Sequence, residues 1–187
     1  CGGTEDGASL QESLQAFQLL GFVPRGLRNV EKRSTATSLW GQSYALPMGF
    51  APTGFSAIVM KECDAALAKV ARQEQLPFII SGASTVPLER LQQENEQRCW
   101  YQAYLPGNMA RIQPWLQRLE RAQIEVLVIT IDTCVGANRE NLQRLKFTVP
   151  FRPSFKLLLD GMCHPRWTAN VFLNTMLSQG VPRFANL

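Results

Sequence analysis

The sequence predicts an α/β protein whose strands lie parallel in one sheet. Two observations carry that expectation. Four short apolar runs, each bounded by turn residues, have the length and composition of buried strands: LPMGFAP (46–52), PFIISG (77–82), CWYQAY (99–104) and VLVITID (126–132). Stretches of helical periodicity separate them, so strand and helix alternate. Crossovers of that length give right-handed βαβ units.

Ahead of the first run, SLQESLQAFQLL (9–20) reads as an amphipathic helix and the Thr- and Ser-rich STATSLWGQSYA (34–45) as an edge hairpin. The first crossover, ECDAALAKVARQEQ (62–75), is rich in Ala and carries Leu67, Val70 and Ala71 at helical spacing. The second, 86–97, begins VPLERLQQ and sets Leu88 and Leu91 on one face. In the third, Ile112, Trp115, Leu116 and Leu119 follow an i, i+3, i+4, i+7 pattern. Pro114 is expected in the first turn there, the place where a helix tolerates proline. From Phe147 onward, Pro150, Pro153, Pro165 and Pro182 punctuate two short apolar stretches. That pattern predicts a long excursion after the fourth strand rather than another βα unit.

With 187 residues the chain can bury roughly 70% of its extended surface, enough for one real core. Its 45% hydrophobic and 18% charged residues are those of an ordinary globular protein. The net charge is +4 and the basic residues are scattered, so nucleic acid is not an expected partner. No stretch of 18 apolar residues and no signal-peptide pattern occurs. Cys1, Cys63, Cys99, Cys134 and Cys163 are odd in number and far apart, which favours a reducing cytoplasm over a disulfide framework. His164 is the one histidine and has no ligand-spaced companion, so no metal site is expected. A start on Cys1 and an end on Leu187 read as those of a fragment.

In parallel α/β folds the ligand site gathers at the C-terminal ends of the strands. Each run here ends on something unusual. The first closes on Pro52, Thr53 and Gly54, where glycine lets backbone approach a ligand. The second reaches Ser81 and Gly82. The third places Gln102 and Tyr104 two residues apart, hence on one face. The fourth ends in Thr130 and Asp132, with Arg139 beyond a Gly-bearing turn. Pooled at one rim, these groups suit a planar, heteroatom-rich cofactor beside a small anion. Each has a plainer reading: a turn for Pro-Thr-Gly, backbone satisfaction for Gln102 and Tyr104, and a solvated surface pair for Arg139 with Glu140. Four consecutive strand ends bearing polar groups argue together for a site.

The residues resemble the FMN-dependent α-hydroxy-acid dehydrogenases and oxidases, a family that includes L-lactate dehydrogenase, glycolate oxidase and mandelate dehydrogenase. The resemblance runs through GGTED (2–6), VPRGLRNV (23–30), LPMGFAPTG (46–54), WYQAY (100–104), ITIDT (129–133) and NRENLQR (138–144) to FRPS, DGMCHPRW and GVPRF. Spacing agrees as well, with 29 residues from Pro52 to Ser81, 21 to Gln102 and 28 to Thr130. The resemblance implies the N-terminal half of a (β/α)8 barrel: one partial domain over 1–187, divided into a helix and edge segment (1–45), the first four barrel strands (46–146) and a variable excursion (147–187).

It also implies FMN as cofactor. The backbone of Pro52, Thr53 and Gly54 would lie against the flavin ring, and Ser81, Gln102 and Thr130 would bond its polar edge. Tyr104 and Arg139 would reach the substrate, a small (S)-2-hydroxy acid such as L-lactate. The implied reaction takes the hydroxyl proton with a histidine base and passes a hydride equivalent to flavin N5, giving the 2-oxo acid. Oxygen, a quinone and a cytochrome all remain open as electron acceptor. The full-length form is expected to be a homo-oligomer in the cytoplasm. The segment 157–178 reads either as a peripheral contact with the inner face of the cell membrane or as a lid or subunit contact.

The departures from the family pattern are specific. Its N-terminal tyrosine falls before Cys1, and its flavin-facing lysine, histidine base, clamping arginine and phosphate-binding strands belong beyond Leu187. MKECD (60–64) replaces a His-Pro-x-Gly-Glu pattern, Cys134 a proline and Gln123 a glycine. The isolated 187-residue chain is accordingly expected to hold flavin poorly, to be inactive and to expose an apolar sheet edge. A catalytically silent half-barrel serving as a binding or assembly module is the alternative from another class.

Overall fold

The computed structural model describes residues 3–96, 98–105, 107–133, 135–140, 144, 155–180 and 183–186. The chain folds as two compact units, Cys1–Arg33 with Thr133–Asp160, and Ser34–Asp132 with Gly161–Leu187.

In the first unit, helix α1 (Ala8–Ala16) is shorter than the sequence pattern suggests and buries none of its residues. Gly7 opens it at φ 82, a left-handed conformation that glycine adopts without a Cβ clash. Glu5 N–H donates to the Asn138 carbonyl at 3.0 Å and so joins the N-terminal stretch to the 135–140 loop.

The second unit begins with the hairpin anticipated over 34–45. Strands β1 (Thr37–Leu39) and β2 (Gln42–Tyr44) pair antiparallel, Leu39 opposite Gln42. The two-residue turn has φ 47 at Trp40 and φ 79 at Gly41, the double left-handed turn that matches strand twist.

The parallel sheet follows. Phe50 makes only an isolated bridge to Phe78, so the first of the four expected strands is reduced to one pairing position. Pro47 and Pro52 bracket that stretch and cannot donate ladder hydrogen bonds, which leaves Phe50 N to reach Pro77 O (2.9 Å) and Phe50 O to accept from Ile79 N (3.1 Å). Helix α2 (Cys63–Gln73) leads to β3 (Phe78–Ser81), α3 (Leu88–Glu94) to β4 (Cys99–Ala103), and α4 (Met109–Arg121) to β5 (Leu127–Ile129). The order is β3-β4-β5, all parallel, with Ser81 opposite Gln102 and Gln102 opposite Val128.

Alternation along the strands gives this sheet two different faces. Phe78 and Ile80, with Cys99, Tyr101 and Ala103, pack against Ala65, Ala68 and Ala71 of α2, Leu88 and Leu91 of α3, and Leu119 of α4. The opposite face carries Ser81, Trp100, Gln102 and Thr130. Its lower end is apolar: Trp40 meets Trp100 edge-on at 4.8 Å, and Trp100 Nε1 donates to Tyr44 Oη at 3.2 Å. The hairpin thus covers the N-terminal end of the sheet and leaves polar groups at the other end.

Two helical expectations need correction. The buried face of α2 is alanine-rich, with Asp64, Ala65, Ala68 and Ala71 inside and Val70 exposed. Close helix–sheet approach favours the small side chain over Val. Pro114 lies beyond the first turn of α4, because Asn108 caps the helix by accepting from Ala110 N at 2.9 Å and so starts it earlier.

Three helices also end alike. Residues Gln75, Glu96 and Gln123 follow α2, α3 and α4 with φ 53, 50 and 56. Ile124 N–H reaches Leu119 O (3.0 Å) and Gln123 N–H reaches Glu120 O (2.9 Å), a bonding pattern that ordinarily places glycine at Gln123.

The excursion contains α5 (Phe155–Cys163), a short α6 (Pro165–Trp167), a π-helical stretch (Thr168–Leu173) and α7 (Asn174–Gln179). Its first residues, 147–154, and Cys134 lie outside the described residues. Trp167 Nε1 donates to Ile58 O (2.9 Å) and Lys61 Nζ to Asn174 Oδ1 (3.0 Å), which docks the 165–179 stretch on the Ser56–Ile58 turn.

Candidate functional site

The C-terminal ends of β3, β4 and the stretch after β5 deliver three neutral polar side chains in one row. Ser81 and Gln102 are each 4% exposed, and Thr130 is half-buried. Gln102 sits at the centre. Its Oε1 accepts from Gly82 N–H at 3.2 Å and from Ser81 Oγ at 3.4 Å. Its Nε2 donates to Thr130 Oγ1 at 2.6 Å. The Thr130 backbone N–H donates to Ala103 O at 3.1 Å, which continues the β4–β5 ladder to this level. The long Ser81 contact, the second Nε2 hydrogen of Gln102 and the Thr130 hydroxyl hydrogen form a set of donors with no formal charge.

Two glycines close the gaps around that row. A Cβ on Gly54 would lie 3.0 Å from Ala83 Cβ and 3.8 Å from Ser81 Oγ, so the Pro52–Thr53–Gly54 loop abuts the Ser81 turn. A Cβ on Gly82 would lie 3.0 Å from Gln102 O and 3.4 Å from a ring carbon of Tyr104. Tyr104 thereby joins the same rim, with 41% of its surface exposed. Pro52 and Thr53 are exposed, and Thr53 Oγ1 reaches Ala51 O at 3.5 Å. Asp132, past Thr130, is exposed.

Arg139 belongs to the other unit, where it is exposed. Glu140 pairs with Arg144, four residues on, at 3.1 Å, and not with its sequence neighbour Arg139. An open cleft of about 570 Å³ in that unit is lined by Glu5, Asp6, Asn138, Glu140 and Arg144. Its mixed charges differ in kind from the neutral row of the sheet rim.

Reading the sequence missed the polar groups behind the rim. Asp64 is buried and accepts from Ser56 and Ser84. Asn186, 1% exposed, accepts from Leu88 N (2.9 Å), donates to Val86 O (3.0 Å), and through its carbonyl accepts from Tyr101 Oη (2.9 Å). A signal for Asp64 existed: it shares a helical stripe with Ala68 and Ala71. No local signal pointed to Asn186, whose contacts lie about 100 residues away in sequence.

Ionisable groups around the core follow their surroundings. Burial pushes the Cys99 thiol up to about 12. Burial also raises the Tyr101 phenol. The Arg118 hydrogen bonds hold the Glu89 carboxyl below its ordinary value, and the same bonds raise Arg118. Among the described residues no cluster of His, Cys, Asp and Glu has the make-up of a metal site.

A parallel sheet with helices against one face is part of an α/β barrel. The FMN-dependent dehydrogenase family model matches residues 1–186. The chain belongs to that family. It is 30% identical over 185 residues to (S)-mandelate dehydrogenase of Pseudomonas putida, covering 99% of this chain and 46% of that protein. It is 31% identical over 144 residues to 2-hydroxyacid oxidase 2 of Rattus norvegicus, covering 76% and 41%. L-lactate dehydrogenase of Azorhizobium caulinodans is 27% identical over 172 residues, covering 92% and 45%.

The crystal structure of a monotopic membrane protein, (S)-mandelate dehydrogenase, superposes with a TM-score of 0.86 at 30% identity, over 99% of this chain and 48% of that one. A mandelate oxidase variant described with a C4a-OH-FMN adduct gives a TM-score of 0.75 at 30% identity, over 80% and 45%. The chain therefore spans about half the length of the curated relatives it matches.

Proposed function

We propose that the chain supplies the flavin-edge half of an FMN-dependent enzyme that oxidises an (S)-2-hydroxy acid to the 2-oxo acid. The observation that carries this reading is the bonded row Ser81–Gln102–Thr130 across three adjacent strand ends. Uncharged donors in a line fit the heteroatom edge of a planar ring better than they fit a phosphate or a metal ion. Gly54, held against Ala83, leaves backbone rather than side chain facing that position.

In this reading Ser81, Gln102 and Thr130 bind and orient FMN, and the Pro52–Thr53–Gly54 backbone lies along its ring. FMN, when bound, supplies the two-electron acceptor. Tyr104 directs its hydroxyl to the carboxylate or hydroxyl of the substrate, and Arg139 is the candidate cation for the same anion by family resemblance alone. The relatives' names support 2-hydroxy acids as the substrate class, with lactate and mandelate as the two candidates to test first.

The test uses the full-length gene product reconstituted with FMN and mixed anaerobically with L-lactate or (S)-mandelate. Bleaching of the flavin's visible band by either acid is the expected result. Stoichiometric FMN without bleaching by any small 2-hydroxy acid would instead point to a silent barrel that serves as a binding module.

A membrane-surface role for the excursion rests on its own observation. Leu173, Met176 and Leu177 are exposed on consecutive turns, and no helix among the described residues is long and apolar enough to cross a membrane. Co-sedimentation with anionic vesicles, lost in Leu173→Ser/Leu177→Ser, is the expected result for a peripheral protein. Equal sedimentation of the variant would assign those residues to a lid or a subunit contact.

A further inference from the structure

Asp64, the second residue of α2, is 3% exposed and has both carboxylate oxygens engaged. Ser56 Oγ donates to Oδ1 at 2.6 Å and Ser84 Oγ donates to Oδ2. Both serines are themselves buried, at 4% and 1% exposed. With its hydrogen committed to Asp64, the Ser84 oxygen accepts from Val86 N at 3.1 Å. Ser56 stands two residues after Gly54, and Ser84 stands three after Ser81. One acid therefore links the two loops that carry the flavin-facing backbone and the Ser81 hydroxyl.

Those loops already touch. Phe55 N–H donates to Ala83 O at 2.9 Å across the loops, and within the second loop Ser84 N–H donates to Ser81 O at 3.0 Å and Ala83 N–H to Ser81 Oγ at 3.1 Å. Phe55 holds φ 54, a left-handed conformation that a bulky residue keeps only when its surroundings impose it. The contacts around Asp64 supply that constraint.

The choice of residue type is informative. A buried acid is costly unless its oxygens are bonded, and an apolar side chain of equal size would fill the space without joining anything. Asp64 accepts on both oxygens, which commits both serines as donors and fixes both hydroxyl rotamers. Its place in the first turn of the 11-residue α2 sets it against the positive end of the helix dipole. The acid is thus stabilised from the helix side, and its two oxygens are free to tie the loops.

We propose that Asp64 is a positioning residue for the cofactor rim, setting the separation between the Pro52–Gly54 loop and the Ser81–Gly82 turn. The proposal rests on the reading of that rim as the FMN site. It assigns Asp64 no contact with cofactor or substrate.

The test measures FMN affinity by fluorescence quenching, the visible spectrum of the bound flavin, and apoprotein melting, all in the full-length protein. Asp64→Ala is expected to weaken FMN binding about 10- to 100-fold, the usual effect of removing an outer-shell partner, and to shift the bound-flavin spectrum. Asp64→Glu, which keeps both oxygens, is expected to restore most of both. Ser56→Ala and Ser84→Ala each cut one arm, so their combined effect should fall short of the product of the two. Wild-type affinity and spectrum in Asp64→Ala would overturn the proposal. If that variant fails to fold, the serine pair decides: effects that multiply independently also overturn it. A wild-type protein that binds no FMN removes the rim reading and the proposal together. The wild-type titration separates that outcome from failure of Asp64 alone.

Discussion

Gln102 Nε2 lies 2.6 Å from Thr130 Oγ1, so one amide joins the end of β4 to the residue that follows β5. The same side chain takes Gly82 N–H on its other side. Gln102 is therefore both a structural bridge across three strand ends and the central donor of the rim. Gln102→Leu keeps the volume but leaves the buried Gly82 N–H without its acceptor and Thr130 without its donor. An orphaned buried group costs about 1–3 kcal/mol. The expected outcome is a fall of that size in urea-unfolding stability, together with weaker FMN binding. A variant as stable as wild type would show that water replaces the amide and that the bridge is dispensable.

Tyr104 separates site function from stability more cleanly. It is 41% exposed, and no hydrogen bond of its hydroxyl holds the fold together among those described. Tyr104→Phe is expected to leave the melting temperature unchanged within the spread of surface substitutions, about 0.5 kcal/mol. If the phenol meets the substrate, kcat/KM falls about 10- to 100-fold, corresponding to about 1.4–3 kcal/mol of lost hydrogen bonding. Steady-state rates with the preferred hydroxy acid check this. Unchanged kcat/KM would take Tyr104 off the substrate.

The strand ends were legible because period-two alternation and turn chemistry are local. Ser81 and Gln102 meet because they are register partners on adjacent parallel strands, and Thr130, two residues past Val128, the partner of Gln102, points to the same face within reach of the Gln102 amide. The failures were non-local. Pro47 and Pro52 stand in plain view in the run LPMGFAP, but how many ladder bonds it keeps depends on its register against β3, where only Phe50 bridges Phe78. Helical spacing groups Val70 with Leu67 and Ala71, yet Val70 is exposed and it is the Ala face of α2 that is buried. Asn186 and Asp64 satisfy backbone and hydroxyl groups that only the assembled fold brings together.

Stability should depend on pH at both ends of the scale. Glu89, held low by Arg118, contributes stability that is present above the ordinary carboxyl value of 4.5 and lost as pH falls through its lower folded value. Glu89→Gln should flatten the acid limb of a urea-midpoint profile. Cys99 runs the other way. Its folded value is raised from 9.0 to about 12, so its contribution is intact below 9.0 and is lost as pH rises toward 12. Cys99→Ala should flatten the alkaline limb at the cost of a small cavity. Identical limbs in wild type and variants would mean that neither group controls them.

Gln123 offers a gain in stability. It occupies the C′ position after α4 with φ 56, where Ile124 N–H reaches back to Leu119 O and Gln123 N–H to Glu120 O. In the left-handed region a Cβ crowds the following carbonyl, which costs roughly 1–2 kcal/mol for residues other than glycine. Glycine carries no such penalty, although its freer unfolded chain returns part of the gain. The backbone bonds need no side chain, and the Gln123 carbonyl that accepts from Gln92 Nε2 at 2.9 Å is kept in any substitution. Gln123→Gly is therefore expected to stabilise the protein by about 0.5–1 kcal/mol. Gln113→Gly, inside the same helix, should cost about 1 kcal/mol because the position demands ordinary helical φ. Urea unfolding of the pair gives opposite signs if left-handed strain is real at residue 123. Destabilisation by both changes would show that the Gln123 side chain contributes more than its backbone strain takes away.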